Sequence, residues 1–121
     1  MERAVFMSSQ ARAIDNAYSP ELKVRMQAYF GEMPCFTKFG KEDLRAARDV
    51  LLGANYIFST WGMPALSREE IREYLPSLKA VFYAAGSVQG FAKSFLECGV
   101  RVFSAWGANA IPVAEFTVAQ I

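Results

Sequence analysis

The sequence predicts an α/β fold, in which a parallel β-sheet carries helices on both faces. Two observations support this prediction. Short apolar runs alternate along the chain with segments of helical periodicity. In addition, the runs at Tyr56–Ser59 and Ala80–Ala84 do not alternate between apolar and polar residues, which is typical of parallel strands buried on both faces.

The stretch Leu78–Phe116 contains the clearest unit of this pattern. An apolar strand at Ala80–Ala84 is followed by a glycine-bearing loop, a helical segment that closes at Gly99 and a second strand at Val100–Phe103. Such a βαβ unit requires two parallel neighbouring strands and a right-handed crossover. Ligand sites of open α/β sheets lie just beyond the carboxyl ends of such strands, so we expect the functional residues there.

Five strands are predicted in all, at Arg3–Met7, Met33–Thr37, Tyr56–Thr60, Ala80–Ala84 and Val100–Phe103. Pro34 places the second of them at an edge of the sheet, since proline has no N–H for a central ladder. The alternation of these strands with helices predicts a flavodoxin-like three-layer sandwich. Its five-stranded parallel sheet is expected to have the order 2-1-3-4-5.

Local residue patterns predict where the helices begin and end. Ser19 followed by Pro20 is a helix start, and Gly31 is the expected stop of that helix. Ser67 with Glu70 is a capping box that opens a further helix, which should end before Pro76. A helix is also predicted over Lys41–Leu52, whereas the segment from Ala11 to Tyr18 is ambiguous. The inward residues of the Lys41–Leu52 helix are expected to be Leu44, Ala47 and Leu51.

Composition narrows the class of protein. The chain has 121 residues, of which 53% are hydrophobic and 21% charged, which indicates one folded domain and excludes disorder. The net charge of +1 provides no bulk attraction to nucleic acid or to a membrane. No apolar run approaches the roughly 20 residues of a membrane span. The first residues also lack the apolar segment of a secretory signal peptide.

The counts of histidine and cysteine restrict the chemistry further. The chain contains no histidine, which nearly excludes zinc sites and histidine-activated nucleophiles within it, so no metal site is predicted. Cys35 and Cys98 are far apart and form no Cys-x-x-Cys motif. We expect them to be buried free thiols of a cytoplasmic protein.

Four short motifs, taken together and in order, carry a resemblance to a known family. They are Leu78-Lys79, the loop Ala84–Val88, the segment Cys98–Val102 and the segment Pro112–Phe116. With these spacings the sequence resembles the D-isomer-specific 2-hydroxyacid dehydrogenases, and a weaker match continues back to Tyr56. The resemblance implies an NAD(P)-dependent oxidoreductase that interconverts D-2-hydroxy acids and 2-oxo acids by hydride transfer.

The resemblance also implies a division into domains. Residues 1–110 would form the substrate-binding domain, and residues 111–121 would begin the interdomain helix that leads to a separate NAD-binding domain. The family's catalytic arginine, glutamate and histidine come later in its sequences than Ile121, so no catalytic residue is predicted here. Gly86 and Gly90 do not have the spacing of the Gly-x-Gly-x-x-Gly fingerprint. We therefore expect this chain to be inactive alone and to bind no NAD or NADP, and the full-length enzyme to be a homodimer.

The candidate site residues follow two of the strands and precede the last helix. Backbone N–H groups of Gly86, Ser87 and Val88 would bind the substrate carboxylate at a helix N-terminus, although a plain turn with a serine cap is equally compatible with the sequence. Trp61 is a further substrate-binding candidate, but a tryptophan there is more often a cover over the core. The resemblance implies cofactor contacts at Asn109 and Ala110, with a turn or cap as the alternative for Asn109.

A different class of protein is the alternative to this enzyme fragment. The same strand order would suit a stand-alone flavodoxin-like module that binds a small molecule or transmits a signal. A phosphate-receiving version would need acidic residues after the first strand, where this chain has Ser8-Ser9-Gln10. A flavin-binding version would need a glycine- and hydroxyl-rich phosphate loop there, and Ser8-Ser9-Gln10-Ala11-Arg12 is a poor match.

Overall fold

Residues 3–84 and 91–104 are described by the structure, which is a computed structural model of the chain. The strands are β1 (Ala4–Met7), β2 (Cys35–Phe36), β3 (Tyr56–Ser59), β4 (Ala80–Tyr83) and β5 (Arg101–Ser104). The α-helices are α1 (Ala13–Ala17), α2 (Pro20–Phe30), α3 (Arg48–Leu51), α4 (Arg68–Tyr74) and α5 (Ala92–Glu97). A single 3₁₀ turn at Lys41–Asp43 precedes α3.

The five strands form one sheet of order β2-β1-β3-β4-β5, and every pair in it is parallel. This confirms the predicted flavodoxin-like order 2-1-3-4-5. The edge strand β2 is shorter than predicted. At the start of β2 the Phe6 N–H donates to the Pro34 carbonyl at 2.9 Å. Pro34 has no N–H of its own and therefore donates no bond to the sheet.

Two separate hydrophobic cores cover the two faces of the sheet, as a three-layer sandwich requires. Helices α1 and α2 pack on one face through Ile14, Tyr18 and Met26, among others. The segment containing α3 and the helices α4 and α5 packs on the opposite face, where Ile71 and Phe95 are fully buried. The first core is largely aromatic, so its stability depends on ring packing as well as on buried area.

The predicted helix starts at Ser19 and Ser67 are confirmed. The Ser19 side chain accepts a hydrogen bond from the Leu22 N–H at the start of α2. Ser67 and Glu70 form both bonds of the capping box, with distances of 3.1 and 2.8 Å. Gly31, which ends α2, has φ +74°, a backbone region that favours glycine.

The helix after β4, in contrast, begins at Ala92 with Phe91 as its N-cap, so the expectation that Ser87 caps this helix is wrong.

The prediction of one helix over Lys41–Leu52 is wrong. The segment mixes two hydrogen-bond spans: the Ala47 N–H reaches back four residues, to Asp43, whereas the Arg48 N–H reaches back three, to Arg45. The predicted inward residues Leu44, Ala47 and Leu51 are nevertheless buried. Apolar spacings of three and four residues suit both kinds of turn, so periodicity alone could not distinguish a continuous α-helix from this mixture.

Candidate functional site

The carboxyl ends of β1 and β3 meet at the point where the strand order reverses, which is where open α/β sheets bind their ligands. The Ser8 hydroxyl is fully buried and donates to the Trp61 carbonyl at 2.6 Å, and it accepts from the Gln10 N–H at 3.0 Å. The Ser9 N–H donates to the Gly62 carbonyl at 2.7 Å. The loop after β1 and the turn after β3 are therefore one hydrogen-bonded unit.

This unit requires glycine at position 62. Gly62 has φ +88°, and a Cβ atom there would lie 2.7 Å from Ser9 Oγ and 2.9 Å from Ser8 Oγ. Both distances are shorter than a Cβ atom normally shows, so a side chain would displace these hydroxyl groups, and the positive φ disfavours it as well. The turn that carries Trp61 is thus held against the end of β1 by close packing as well as by hydrogen bonds.

Three hydroxyl groups, those of Tyr18, Ser59 and Thr60, join the carboxyl ends of β1, β3 and β4, and we call them the hydroxyl cluster. Ser59 Oγ donates to the Met7 carbonyl at 2.5 Å, and Thr60 Oγ1 donates to the Ala84 carbonyl at 3.1 Å. The Tyr18 hydroxyl donates to the Ser59 carbonyl at 2.8 Å. Each residue of the cluster is buried. The bonds of Tyr18 and Ser59 are shielded from water, whereas the bond from Thr60 to Ala84 is partly exposed, and together they link the strand ends.

Tyr18 lies in the aromatic core under this edge of the sheet. Its ring centroid is 5.2 Å from that of Phe6 and 6.2 Å from that of Phe58. Complete burial raises the pKa of the Tyr18 hydroxyl well above its ordinary value, because the phenolate would lose its hydration there. Tyr18 therefore stays protonated and remains a hydrogen-bond donor.

Alkaline pH should destabilise the fold through Tyr18. The unfolded chain releases the tyrosine proton at about pH 10, whereas the folded state retains it. The contribution of Tyr18 to the free energy of unfolding is therefore complete below that pH and is lost as the pH rises above it. The expected loss is about 1.4 kcal/mol per pH unit from this one group. Urea denaturation on both sides of that pH should show a shallower loss for Tyr18→Phe than for the wild type. The exposed Tyr29, replaced by phenylalanine, is the control, and parallel pH curves for Tyr18→Phe and the wild type would contradict the assignment.

Trp61 does not pack over the hydrophobic core, which was the role that the sequence favoured for it. Its side chain is 65% exposed, and Met63, two residues later, is the buried residue of this turn. The Trp61 backbone carbonyl accepts a hydrogen bond from the Ser8 hydroxyl. The indole therefore stands at the carboxyl edge of the sheet, which is compatible with its other predicted role as a substrate contact.

The remaining candidate residues lie outside the described parts of the chain. They are Gly86, Ser87, Val88, Asn109 and Ala110, together with the predicted interdomain segment 111–121. The structure does describe Ala84, the last residue of the segment that leads to position 86. The Ala84 N–H donates to the Ser59 carbonyl at 2.8 Å, and its carbonyl accepts from Thr60.

Sequence reasoning did not select four hydroxyl residues of this region, namely Ser8, Tyr18, Ser59 and Thr60. Tyr18 lies 41 residues before Ser59 along the chain, and it ends a segment whose periodicity was ambiguous. Ser8 and Ser59 each follow an apolar run directly, and Thr60 comes next after Ser59. A hydroxyl residue at the end of an apolar run was the one signal that could have indicated them. Their bonding partners depend on the tertiary arrangement of the strands.

The expectation that both cysteines are buried is wrong. Cys35 lies exposed on the edge strand β2, and Cys98 is half-buried after α5. Both are free thiols, as predicted. Within residues 3–84 and 91–104, no group of three or more histidine, cysteine, aspartate or glutamate side chains could hold a metal ion.

A groove of about 670 Å³ lies at the opposite edge of the sheet, near the amino-terminal ends of β1 and β2. Its charged lining residues Arg3, Glu32 and Asp49 are all exposed. Its position does not match the predicted ligand edge. We favour the carboxyl edge as the functional site, because the strand order reverses there and buried hydroxyl groups converge on it.

The sheet order and the hydrogen-bonded carboxyl edge define the class of protein as a flavodoxin-like α/β domain. Among solved structures, the chain is similar to the apo structure of D-lactate dehydrogenase from Escherichia coli, with a TM-score of 0.51 and 18% sequence identity. The match covers 87% of this chain but 31% of that dehydrogenase. At this identity the likeness establishes a shared fold, and fold alone does not define activity.

Comparison at the level of sequence adds nothing to this likeness. No protein-family model matches the chain, and no curated protein matches it. No helix in the described ranges is long and apolar enough to cross a membrane.

Proposed function

We propose that this chain is the substrate-binding domain of an NAD(P)-dependent D-2-hydroxyacid dehydrogenase. The observation that carries the proposal is the shared fold: the parallel sheet of order 2-1-3-4-5 matches part of a D-lactate dehydrogenase over most of this chain's length. The ordered motifs between Leu78 and Phe116 point independently to the same family. Both the structural likeness and the motifs concern one domain, so the activity of a whole enzyme belongs to the proposal.

In this proposal the domain binds the carboxylate of a 2-hydroxy or 2-oxo acid. The donors would be the backbone N–H groups of Gly86, Ser87 and Val88, as the resemblance to the family implies. Trp61 supports this role because it is exposed on the turn after β3, the strand that pairs with β4. Carboxylate binding needs no histidine and no metal ion, which agrees with the composition of the chain.

Hydride transfer would require a second domain for NAD or NADP. This sequence lacks the Gly-x-Gly-x-x-Gly loop that holds a dinucleotide pyrophosphate, so its residues do not fit the cofactor by themselves. Asn109 and Ala110 are proposed to contact the nicotinamide end in the full-length enzyme. We further propose that this enzyme is a cytoplasmic homodimer.

A titration of the ¹⁵N-labelled chain with pyruvate and with D-lactate tests carboxylate binding. We expect the amide resonances of Gly86, Ser87 and Val88 to shift, with a dissociation constant in the range of about 1–10 mM. Two variants at Ser87 distinguish the contribution of the backbone N–H to binding from that of the side chain. Ser87→Ala keeps the N–H and should still bind, whereas Ser87→Pro removes it and should not. Unchanged resonances across this segment in the wild-type chain would refute the proposed site.

A further inference from the structure

We propose that the free edge of β2 is a self-association surface, at which two copies of this chain pair antiparallel about Cys35. The partner is a second copy of the same chain, and a twofold axis relates the two copies. The inference adds a specific contact to the homodimer proposed above. It depends on neither the substrate nor the cofactor of that proposal.

The hydrogen bonds between β1 and β2 show that the backbone groups of Cys35 point away from the sheet. The Pro34 carbonyl accepts from the Phe6 N–H at 2.9 Å, and the Phe36 carbonyl accepts from the Ser8 N–H at the same distance. Successive residues of a strand turn their N–H and C=O groups to opposite sides. The N–H and C=O of Cys35 therefore face outward. β2 is the last strand of the sheet, and Cys35 is exposed.

Among the residues that the structure describes, the usual protection of an edge strand is absent from β2. Natural sheets block such an edge with charged side chains, with proline or with a covering element. Cys35 and Phe36 are uncharged, and the nitrogen of Pro34 lies on the same side as its carbonyl, facing β1. Pro34 therefore removes a donor from the inner side of β2 and leaves the outer edge able to pair with another strand.

The charges on either side of Cys35 favour a second copy of this chain as the partner. Glu32 lies three residues before Cys35 and Lys38 three residues after it, and both side chains are exposed. In an antiparallel pair centred on Cys35, residues at equal distances from the centre lie opposite each other. Each Glu32 would therefore lie near the partner's Lys38, so the symmetric contact brings together opposite charges twice.

The same geometry predicts a weak contact that a disulfide bond can report. A strand of two residues buries much less than the roughly 1,000 Å² of a stable interface. We therefore expect a dissociation constant of about 0.1–1 mM. The two Cys35 Cα atoms would lie about 5.5 Å apart, as in a hydrogen-bonded antiparallel pair, and a disulfide can bridge that distance.

Cross-linking rates of variants that carry one exposed thiol test where the two copies meet. Cys98→Ser retains Cys35. The matched control combines Cys35→Ser and Cys98→Ser with Ala28→Cys, which places the thiol on the exposed side of α2. Diamide takes up the two thiol hydrogens as the disulfide forms, and each rate is divided by the rate of the same thiol with a small disulfide reagent. We expect Cys35 to cross-link about tenfold faster than the control, because pairing raises the local concentration of the second thiol.

Charge reversal tests the identity of the partner. Glu32→Lys and Lys38→Glu each place like charges opposite each other across the twofold axis. Each should weaken self-association about three- to tenfold, measured by sedimentation equilibrium under reducing conditions, and should slow the cross-linking of Cys35. The double variant restores opposite charges and should recover both. Glu32→Lys alone provides the test if Lys38→Glu does not fold.

Equal normalised cross-linking rates for Cys35 and for the Ala28→Cys control would overturn the pairing at β2. A wild-type chain that stays monomeric at about 1 mM would overturn it as well. So would single charge reversals without effect, or a folded double variant that does not recover association. None of these measurements involves pyruvate, so they leave the proposed carboxylate binding intact. Absence of pyruvate binding would in turn leave the pairing at β2 intact.

Discussion

Replacing Phe58 with alanine is expected to lower the free energy of unfolding by about 3–5 kcal/mol, the range for a fully buried phenylalanine. Phe58 is completely buried at the centre of the aromatic core. Its ring stacks on that of Phe82 with a centroid distance of 4.8 Å and lies 5.8 Å from that of Phe30. Truncation would remove these contacts and leave a cavity that rigid neighbouring rings fill poorly.

Urea denaturation followed by circular dichroism would measure this loss. Phe103→Ala is the matched control: Phe103 also stacks on Phe82, at 5.1 Å, but it is 40% exposed on the last strand. Its loss should be clearly smaller, because less area is buried and water fills the vacated space. If Phe58→Ala does not fold, Phe58→Leu should show a smaller loss in the free energy of unfolding that can still be measured. Equal losses for Phe58→Ala and Phe103→Ala would contradict the central role of Phe58.

Replacing Gly62 with alanine should also lower the free energy of unfolding strongly, and it should change the structure of the candidate site. The new Cβ would clash with Ser8 Oγ and Ser9 Oγ in a backbone region that already disfavours a side chain. We expect a loss of about 2–4 kcal/mol, the sum of a strained backbone and a displaced contact. The bond between Ser8 and the Trp61 carbonyl should break, so Trp61 should move.

Gly99 offers a control with a similarly positive φ and no clash. Its φ is +80°, and a Cβ there would meet no atom within 4 Å. Gly99→Ala should therefore cost only about 1–2 kcal/mol, and the difference between the two alanine variants measures the contact at Gly62. Trp61 fluorescence, recorded in a Trp106→Phe background, should change in Gly62→Ala and not in Gly99→Ala. Equal stability losses with unchanged fluorescence would show that the turn after β3 accommodates a side chain.

Much of the fold could be predicted from the sequence because its signals are local. Apolar runs without alternation indicated β3 and β4 as buried parallel strands, and the structure pairs them in parallel. Ser19 and Ser67 marked helix starts that the structure confirms. The prediction over Lys41–Leu52 was wrong because α and 3₁₀ turns bury the same residues at these spacings.

Less of the candidate site could be predicted, because its geometry depends on residues distant in sequence. The carboxyl edge followed from strand direction alone, and Trp61 was placed there correctly. Its exposure was not predictable, since that depends on how the turn at Gly62 packs against Ser8 and Ser9. Cys35 was expected to be buried, but it lies exposed on the edge strand β2.

The sequence by itself determined the fold class and the order of the elements, and it predicts that a ligand binds at the carboxyl edge of the sheet. Those properties follow from periodicity, from capping residues and from the handedness of parallel crossovers, which act over short stretches of chain. Only the tertiary structure decided which hydroxyl groups meet at that edge. Tyr18, Ser59 and Thr60 converge there because α1 packs beneath the ends of β3 and β4. A hydrogen bond across 41 residues leaves no local pattern, since its partners become neighbours only when the sheet and its helices are assembled.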